Sequence, residues 1–444
     1  MDNARQAGSA SVHRRPMTHQ HPARGGFPED SVPSSDPPAT RPSAAPPGES
    51  ADGPCESAGG TTGAESGTVR PSVTLRSPAE LADALPYLLG YHPDDSLVLV
   101  GLHGPAARFG GRLRVEIPQD PAQWPDTAHE AAECLRANSR ARGREPDAAL
   151  VYLCRDPSGT STPRQAVAEL APLAEALRAS CTARGMPVHE ALGLSGGRYW
   201  SYCCTDTACC PAEGTPVDTP GSSAMAAAAA YAGIRLRGSL RELTARLLPL
   251  DPSRAACQER TLDEACAGLR PRMAVEPERT EVRAETLALL LRLLTRFRNT
   301  GWSASRLPPG SADEADDALL SDTEAATALI GLQDRVTRDQ AAEWMERRDC
   351  EPVGRLWRAL SRRCVGAHTT RAAAPLTLAG WAAWSGGDEA GARVALGRAL
   401  EADSQYVFAR LLHSACNSGL DPEPLRACLR TQRAERLARP ARSA

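Results

Sequence analysis

The amino-acid sequence predicts an α/β domain with a layered, mostly parallel sheet in its N-terminal half, followed by an all-helical C-terminal region. Three observations predict this class. Strand-like and helix-like segments alternate between residues 73 and 194. The run 96–102 (SLVLVGL) is apolar and bounded by turn residues, as a strand buried on both faces requires. From residue 216 onward, apolar residues recur at helical spacing.

The front half presents its elements in a definite order. After a short strand over 73–75, Ser77, Pro78 and Glu80 form the start of a capped helix that is predicted to end near Gly90. The elements predicted next are a buried strand over 96–102, an alternating strand over 112–117, a helix over 126–141, a strand over 148–154, a helix over 163–184 and a strand over 188–194. Strands separated by helices favour parallel neighbours.

Helices are predicted for the rest of the chain. The predicted ranges are 225–233, 238–249, 258–270, 280–299, 312–320, 322–333, 336–347, 352–365, 372–385, 388–402, 404–417 and 422–435. Near the C-terminus, small residues and two tryptophans, Trp381 and Trp384, precede a Gly386-Gly387 turn. This stretch resembles a tetratricopeptide helix pair, and because only about one and a half repeats are visible we expect it to pack on its neighbours.

Composition divides the chain into four parts. Pro, Gly and Ser make up 28 of the first 70 residues, which predicts a disordered tail over 1–70. The predicted parts that follow are an α/β domain over 72–215, a helical extension over 216–308 and a helical region over 311–437. Pro308-Pro309-Gly310 is predicted to be a hinge between the last two.

Charge and composition exclude several classes of function. All 51 basic residues are Arg, so phosphate loops, Schiff-base enzymes and Ser-Lys hydrolases that depend on a lysine are excluded. A net charge of -3 argues against a surface devoted to nucleic acid or anionic membrane. The chain has neither a membrane-spanning apolar stretch nor a hydrophobic segment of a secretory signal near Met1, so we expect a cytoplasmic protein without a membrane partner.

Four cysteines fall within eight residues: Cys203, Cys204, Cys209 and Cys210. Three interpretations stay open for this cluster. Cys204, Cys209 and Cys210 are candidate ligands for zinc, although the spacing is not that of paired zinc knuckles. They are also candidates for a redox-active pair that closes into a disulfide. The third interpretation is that the thiols simply pack a corner of the fold.

His92, Asp94 and Asp95 lie between the first helix and the central strand. Such side chains can perform acid-base chemistry or bind a cation, but Asp residues are equally common in turns. In a parallel sheet, ligands bind beyond the carboxyl ends of the strands. We therefore expect a ligand near His103-Gly104 and the loop 155–159, at the opposite edge from this acidic segment.

Two motifs carry a resemblance to a known family. They are residues 85–98 (LPYLLGYHPDDSLV) and residues 198–202 (RYWSY), the latter followed by 204–211 (CTDTACCP) and Glu213-Gly214. Together they resemble the bacterial family called domain of unknown function 4192 over residues 72–420, with Cys203 as an extra thiol. The resemblance implies a shared fold and a cytosolic setting, and it implies no reaction.

The first functional hypothesis is a non-enzymatic binding or regulatory module that docks a protein partner through its C-terminal helices. The second is a metal-assisted, hydrolase-like enzyme that uses His92, Asp94 or Asp95. The third is a thiol-based redox sensor that uses Cys204, Cys209 and Cys210. The sequence contains no cofactor-binding motif, and zinc is the cofactor that its cysteines suggest.

Overall fold

The computed structural model describes residues 75, 77–206, 208–217, 223–234, 236–300 and 310–438. The predicted tail over 1–70 lies outside these residues, as do Pro308, Pro309 and most of the strand predicted over 73–75. Leu75 is described and does not belong to a strand. The predicted domain borders at 215 and 308 stay predictions.

One six-stranded sheet forms within the described residues, in the spatial order β2-β1-β3-β4-β5-β6. The strands are β1 (Ser96–His103), β2 (Arg108–Glu116), β3 (Ala148–Cys154), β4 (Val188–Ser195), β5 (Arg198–Ser201) and β6 (Thr215–Pro216). Every residue from 96 to 102 is buried. The prediction that this strand is buried on both faces, inside the sheet, is therefore confirmed.

The sheet is mixed, and the predicted mostly parallel arrangement is wrong. β1 runs antiparallel to both of its neighbours, β2 and β3, and the β4–β5 and β5–β6 pairs are also antiparallel. Only β3 and β4 are parallel among the described strands. The reason is the length of the connections. β2 begins at Arg108 and not at the predicted residue 112, so residues 104–107 alone join it to β1, and so short a link makes a hairpin.

Helices cover both faces of the sheet. They are α1 (Pro78–Leu89), α2 (Trp124–Ala141), α3 (Pro163–Glu169) and α4 (Ala171–Thr182), so the single helix predicted over 163–184 is interrupted at Leu170. Leu97 and Leu99 of β1 pack with α2 and α4 on one face. Val98 and Val100 pack with α1 on the other. This alternation follows from the two-residue period of a strand.

The predicted start and end of α1 are confirmed. Ser77 and Glu80 form a reciprocal capping box at its start. The helix ends at Gly90, whose φ of 88° is the left-handed conformation that favours glycine. A Cβ atom on Gly90 would also lie 2.8 Å from Ala390 Cβ. Gly90 therefore ends the helix and permits close packing against the C-terminal half.

The C-terminal half is helical, as predicted. Its helices are α5 (Ala224–Tyr231), α6 (Leu240–Ala245), α7 (Pro252–Ala274), α8 (Glu278–Asn299), α9 (Ser311–Asp317), α10 (Asp322–Gly331), α11 (Arg335–Ala341), α12 (Cys350–Arg362), α13 (Ala373–Ser385), α14 (Glu389–Ala402), α15 (Val407–Asn417) and α16 (Glu423–Ala438). They share a core of Leu, Ala and Trp side chains. Among the described helices, none combines the length and the apolar character that a membrane crossing requires.

Buried ion pairs connect α9 to α12. Asp316 is 2% exposed and accepts hydrogen bonds from Arg355, with a shortest N–O distance of 2.6 Å. Two turns further along α12, Arg362 contacts Asp317 at 2.7 Å. Acidic side chains on one short helix therefore meet Arg side chains on the core-facing side of another, where each charge has a partner.

The predicted C-terminal helix pair is present as α13 and α14, joined by residues 386–388. Trp381 of α13 is 1% exposed, and its indole N–H donates to the Ala342 carbonyl at 2.8 Å. Its ring lies edge-on to Trp384, with 5.8 Å between the ring centroids. Large rings thus fill the space beside the small residues of α13, and the pair packs on its neighbours as expected.

Candidate ligand-binding site at one edge of the sheet

Strand direction determines which loops share an edge of the sheet. Because β1 is antiparallel to β3, Ser96 lies opposite Cys154, and Cys154 in turn lies opposite Leu194 of the parallel strand β4. The start of β1 therefore meets the carboxyl ends of β3 and β4. His103, at the other end of β1, lies at the far edge. The expectation that His103-Gly104 joins the loop 155–159, with His92 to Asp95 opposite them, is wrong for this reason.

A cavity of about 480 Å³ lies between α1 and this edge of the sheet. Its apolar walls include Leu85, Pro86, Tyr87, Leu194, Val217 and Leu236. Its polar lining includes Asp83, His92, Asp94, Arg155, Asp156, Ser195 and Arg198. The volume falls within the range of small-molecule sites, and an apolar lining with a few polar groups is typical of them.

Two buried polar groups in this cavity have no hydrogen-bond partner among the described residues. Asp83 is 5% exposed, and its carboxylate makes no hydrogen bond or ion pair there. Ser195 is 3% exposed, and its Oγ is likewise without a partner. A fully buried polar atom such as Ser195 Oγ is normally paired, and leaving it unpaired costs roughly 1–3 kcal/mol. Both groups are therefore suited to contact a ligand.

Other polar groups at the cavity are already engaged and fix its walls. Asp156 Oδ1 accepts a hydrogen bond from the Gly196 amide at 3.0 Å, which holds the β4–β5 turn. The Arg198 guanidinium donates to the Gly214 carbonyl at 2.7 Å. Arg155, in contrast, makes no side-chain hydrogen bond within the described part of the chain and borders the cavity. It is a free donor there.

The structure separates the three candidate catalytic residues. His92 and Asp94 line the cavity, whereas Asp95 does not. Asp94 Oδ2 accepts from the Arg241 amide at 2.7 Å, and Asp95 Oδ2 pairs with the Arg241 guanidinium at 3.1 Å. Both carboxylates thus hold the start of α6 against the start of β1. These three side chains do not form a shared set of metal ligands within the described residues.

Cys154 also borders the cavity, at the end of β3. Burial strongly raises the pKa of its thiol, and the nearby Asp156, Asp94 and Asp95 carboxylates raise it further. The thiol therefore stays protonated at neutral pH. A thiolate is the nucleophilic form of cysteine, so this residue is poorly suited to nucleophilic catalysis.

The candidate thiols come together at a separate corner, after β5. The Sγ atoms of Cys204, Cys209 and Cys210 all lie within 4.8 Å of one another. Burial, followed by hydrogen bonding with the other two thiols, raises the pKa of Cys210 to about 12. Cys203 does not belong to this group, and burial, followed by the nearby Glu190 carboxylate, raises the pKa of its thiol. A group of three thiols is thus defined, which we call the thiol triad.

Asp83 and Ser195 were not identified from the sequence. Asp83 lies in a helix with an ordinary amphipathic pattern, and Ser195 directly follows the strand predicted over 188–194. The sequence signal that points to Asp83 is its position among the apolar residues Ala82, Ala84 and Leu85, because a carboxylate is unusual on a buried helix face.

Fold and cavity together define a mixed α/β protein with a small-molecule-sized cavity at the edge of its sheet. The family model described as domain of unknown function (DUF4192) matches residues 78–423, and the chain belongs to this family. The match includes both sequence motifs, the whole sheet and the helices through α15. No curated protein and no solved structure matches the chain.

Proposed function

We propose that the protein is a non-enzymatic binding module for a small organic molecule that has an apolar body and an amine group. The observation that carries this proposal is the buried Asp83 carboxylate, which faces the cavity without a partner. An ammonium group satisfies a buried carboxylate through charge-assisted hydrogen bonds. Ser195 Oγ offers a second contact to the same ligand, and Arg155 offers a donor to any acceptor that the ligand carries.

Binding is favoured over catalysis by the chemistry of the lining. The Cys154 thiol is held in its unreactive protonated form. The Asp94 carboxylate is engaged by the Arg241 amide. The regulatory part of the hypothesis, a protein partner docked on the C-terminal helices, stays a prediction.

The variant Asp83→Asn tests this function. It keeps the shape of the side chain but removes its charge, so we expect it to weaken amine binding about tenfold or more. The measurement is native mass spectrometry with titration of cyclohexylamine and 2-phenylethylamine, compared with their N-acetyl derivatives. The wild-type protein should bind an amine and discriminate against its acetylated form.

The matched control is Asp126→Asn, which removes an exposed carboxylate in the first turn of α2. It should leave binding unchanged. Absence of amine binding to the wild-type protein, or equal binding to Asp83→Asn, contradicts the proposal.

A second function is supported by the thiol triad. Tetrahedral zinc with sulfur ligands at about 2.3 Å places the sulfur atoms about 3.8 Å apart, close to the spacing of three Sγ atoms that lie within 4.8 Å of one another. A disulfide uses only two of the three thiols, and the raised pKa of Cys210 disfavours a redox-active thiolate. A bound cation reverses this effect, because it stabilises the thiolates. We therefore propose one zinc ion held by Cys204, Cys209 and Cys210.

Metal analysis tests the zinc proposal. We expect about one equivalent of zinc in the purified protein, lost in Cys204→Ser and kept in Cys203→Ser, whose thiol lies outside the triad. Thiol counts before and after mild oxidation complete the experiment. Metal-free protein that reversibly loses two titratable thiols would instead support the redox sensor and overturn the zinc site.

A further inference from the structure

We propose a second binding site, for an organic phosphate, in the cavity between β2, α2, α14 and α15. It has a volume of about 910 Å³, which is enough for a ligand of nucleotide size. β2 is an outer strand of the sheet. The helices α2, α14 and α15 contribute to the cavity walls. This inference is independent of the amine site.

The charges around this cavity are unequally paired. Arg241, Arg393 and Arg398 each pair with a carboxylate. Arg112, Arg114 and Arg142 also line the cavity and have no carboxylate partner among the described residues. Arg114 donates to Ser96 Oγ at 3.2 Å and Arg142 donates to the Asn417 carbonyl. The Arg112 side chain makes no hydrogen bond in the described structure. An Arg side chain stays charged, so these three guanidinium groups are available to an anion that enters the cavity.

Two other guanidinium groups, those of Arg393 and Arg142, lie near Arg112. Desolvation and then the nearby Arg393 lower the pKa of Arg112, whereas the Glu389 carboxylate raises it, and the Arg112 side chain stays open to the cavity. Five acidic residues border the cavity: Asp95, Glu389 and Glu401, which pair with Arg241, Arg393 and Arg398, and also Glu116 and Asp94. In the backbone register of β1 and β2, Glu116 lies opposite Ser96 at the start of β1, whereas Arg112 lies opposite Val100 further along the strand. Glu116 and Asp94 thus lie near the end of β2 where Arg114 donates to Ser96, whereas Arg112 lies further along the strand, near Arg393, Arg142 and the Glu389 carboxylate.

Buried hydroxyl groups complete the site. Ser139 is 3% exposed, and its Oγ has no hydrogen-bond partner among the described residues. Tyr91 is 6% exposed, and its hydroxyl is unpaired within the same part of the chain. Gly111 of β2 leaves space here: an added Cβ would lie 2.7 Å from Ser139 Oγ and 3.9 Å from an Arg142 nitrogen. Hydroxyl and guanidinium donors therefore surround one open space.

A phosphate group matches this arrangement better than a single carboxylate. Its three oxygens accept hydrogen bonds from several donors, and Arg binds phosphate through two parallel hydrogen bonds. Arg112, Arg142 and the two hydroxyl groups together supply more donors than one carboxylate uses. The rest of the cavity, with apolar side chains such as Leu240 and Leu248, is available to the organic part of the ligand.

Calorimetric titration with inorganic pyrophosphate tests the site, at 50 mM and at 200 mM NaCl. We expect saturable binding that weakens with salt. Arg112→Ala should weaken it about tenfold or more. Ser139→Ala removes one neutral donor and should weaken it by a smaller factor. Titration with AMP then tests the organic part, and AMP should bind at least as tightly as inorganic phosphate.

The matched control is Arg108→Ala, which removes the same charge from the same strand outside the cavity. It should bind pyrophosphate as the wild-type protein does. If Arg108→Ala and Arg112→Ala weaken binding equally, the interaction is general charge attraction and the site is wrong. Absence of pyrophosphate binding by a folded wild-type protein also overturns it. Circular dichroism verifies that each variant is folded.

Discussion

Replacing Asp316 with Ala is expected to lower the free energy of unfolding by about 3–5 kcal/mol. Asp316 and Arg355 are 2% and 5% exposed and lie 2.6 Å apart. Removing the carboxylate leaves the Arg355 guanidinium buried, with the Phe297 carbonyl and the Thr300 hydroxyl as its remaining acceptors among the described residues. Unfolding in guanidinium chloride, followed by circular dichroism, measures the change.

An exposed ion pair provides the control for this prediction. Glu175 and Arg178 lie 2.9 Å apart on α4, with the Glu175 side chain 71% exposed and the Arg178 side chain 39% exposed. Glu175→Gln should therefore change the stability by less than about 1 kcal/mol. The double variant Asp316→Leu/Arg355→Leu should lose less than Asp316→Ala alone, because it leaves no unpaired charge. A loss below about 1 kcal/mol for Asp316→Ala would show that the pair is not buried in solution.

Replacing Trp381 with Ala is expected to destabilise the protein by about 3–5 kcal/mol. The ring is 1% exposed in the core of the C-terminal half, and its removal leaves a cavity between α13 and the neighbouring helices. The contact with Trp384 and the hydrogen bond to the Ala342 carbonyl are lost with it. Thermal unfolding by calorimetry measures the effect.

Trp381→Phe separates packing from hydrogen bonding. It retains an aromatic ring but leaves the Ala342 carbonyl without its donor, so we expect an intermediate loss of about 1–3 kcal/mol. If Trp381→Phe and Trp381→Ala lower the free energy of unfolding equally, packing of the aromatic ring is not the main contribution of Trp381 to stability.

The sequence pattern predicts the elements well because their periodicity is local. The apolar run 96–102 is a buried strand, and the Ser77 capping box and the Gly90 helix end are both observed. The direction of a strand cannot be predicted in this way, because its hydrophobic pattern is the same whether it runs parallel or antiparallel to its neighbour. The link 104–107 makes β1 and β2 antiparallel, because it is too short for a crossover. With β2 predicted to start at residue 112, the link looks longer than it is.

The candidate sites were predictable to different degrees. Cys204, Cys209 and Cys210 are close in the chain, so one turn brings their thiols together. Asp83 and Ser195, in contrast, are more than 100 residues apart, and only the packing of α1 on the sheet brings them to one cavity. The same holds for Arg112 and Arg142, which border one space only because α2 packs beside β2.

The last strand, β6, consists of Thr215 and Pro216 alone. Proline has no backbone N–H, so this side of the sheet offers little for a strand from another molecule to pair with. At the opposite side, helices and Arg side chains flank β2. Both margins thus discourage the edge-to-edge association through which exposed sheets aggregate, although the sheet does not close into a barrel.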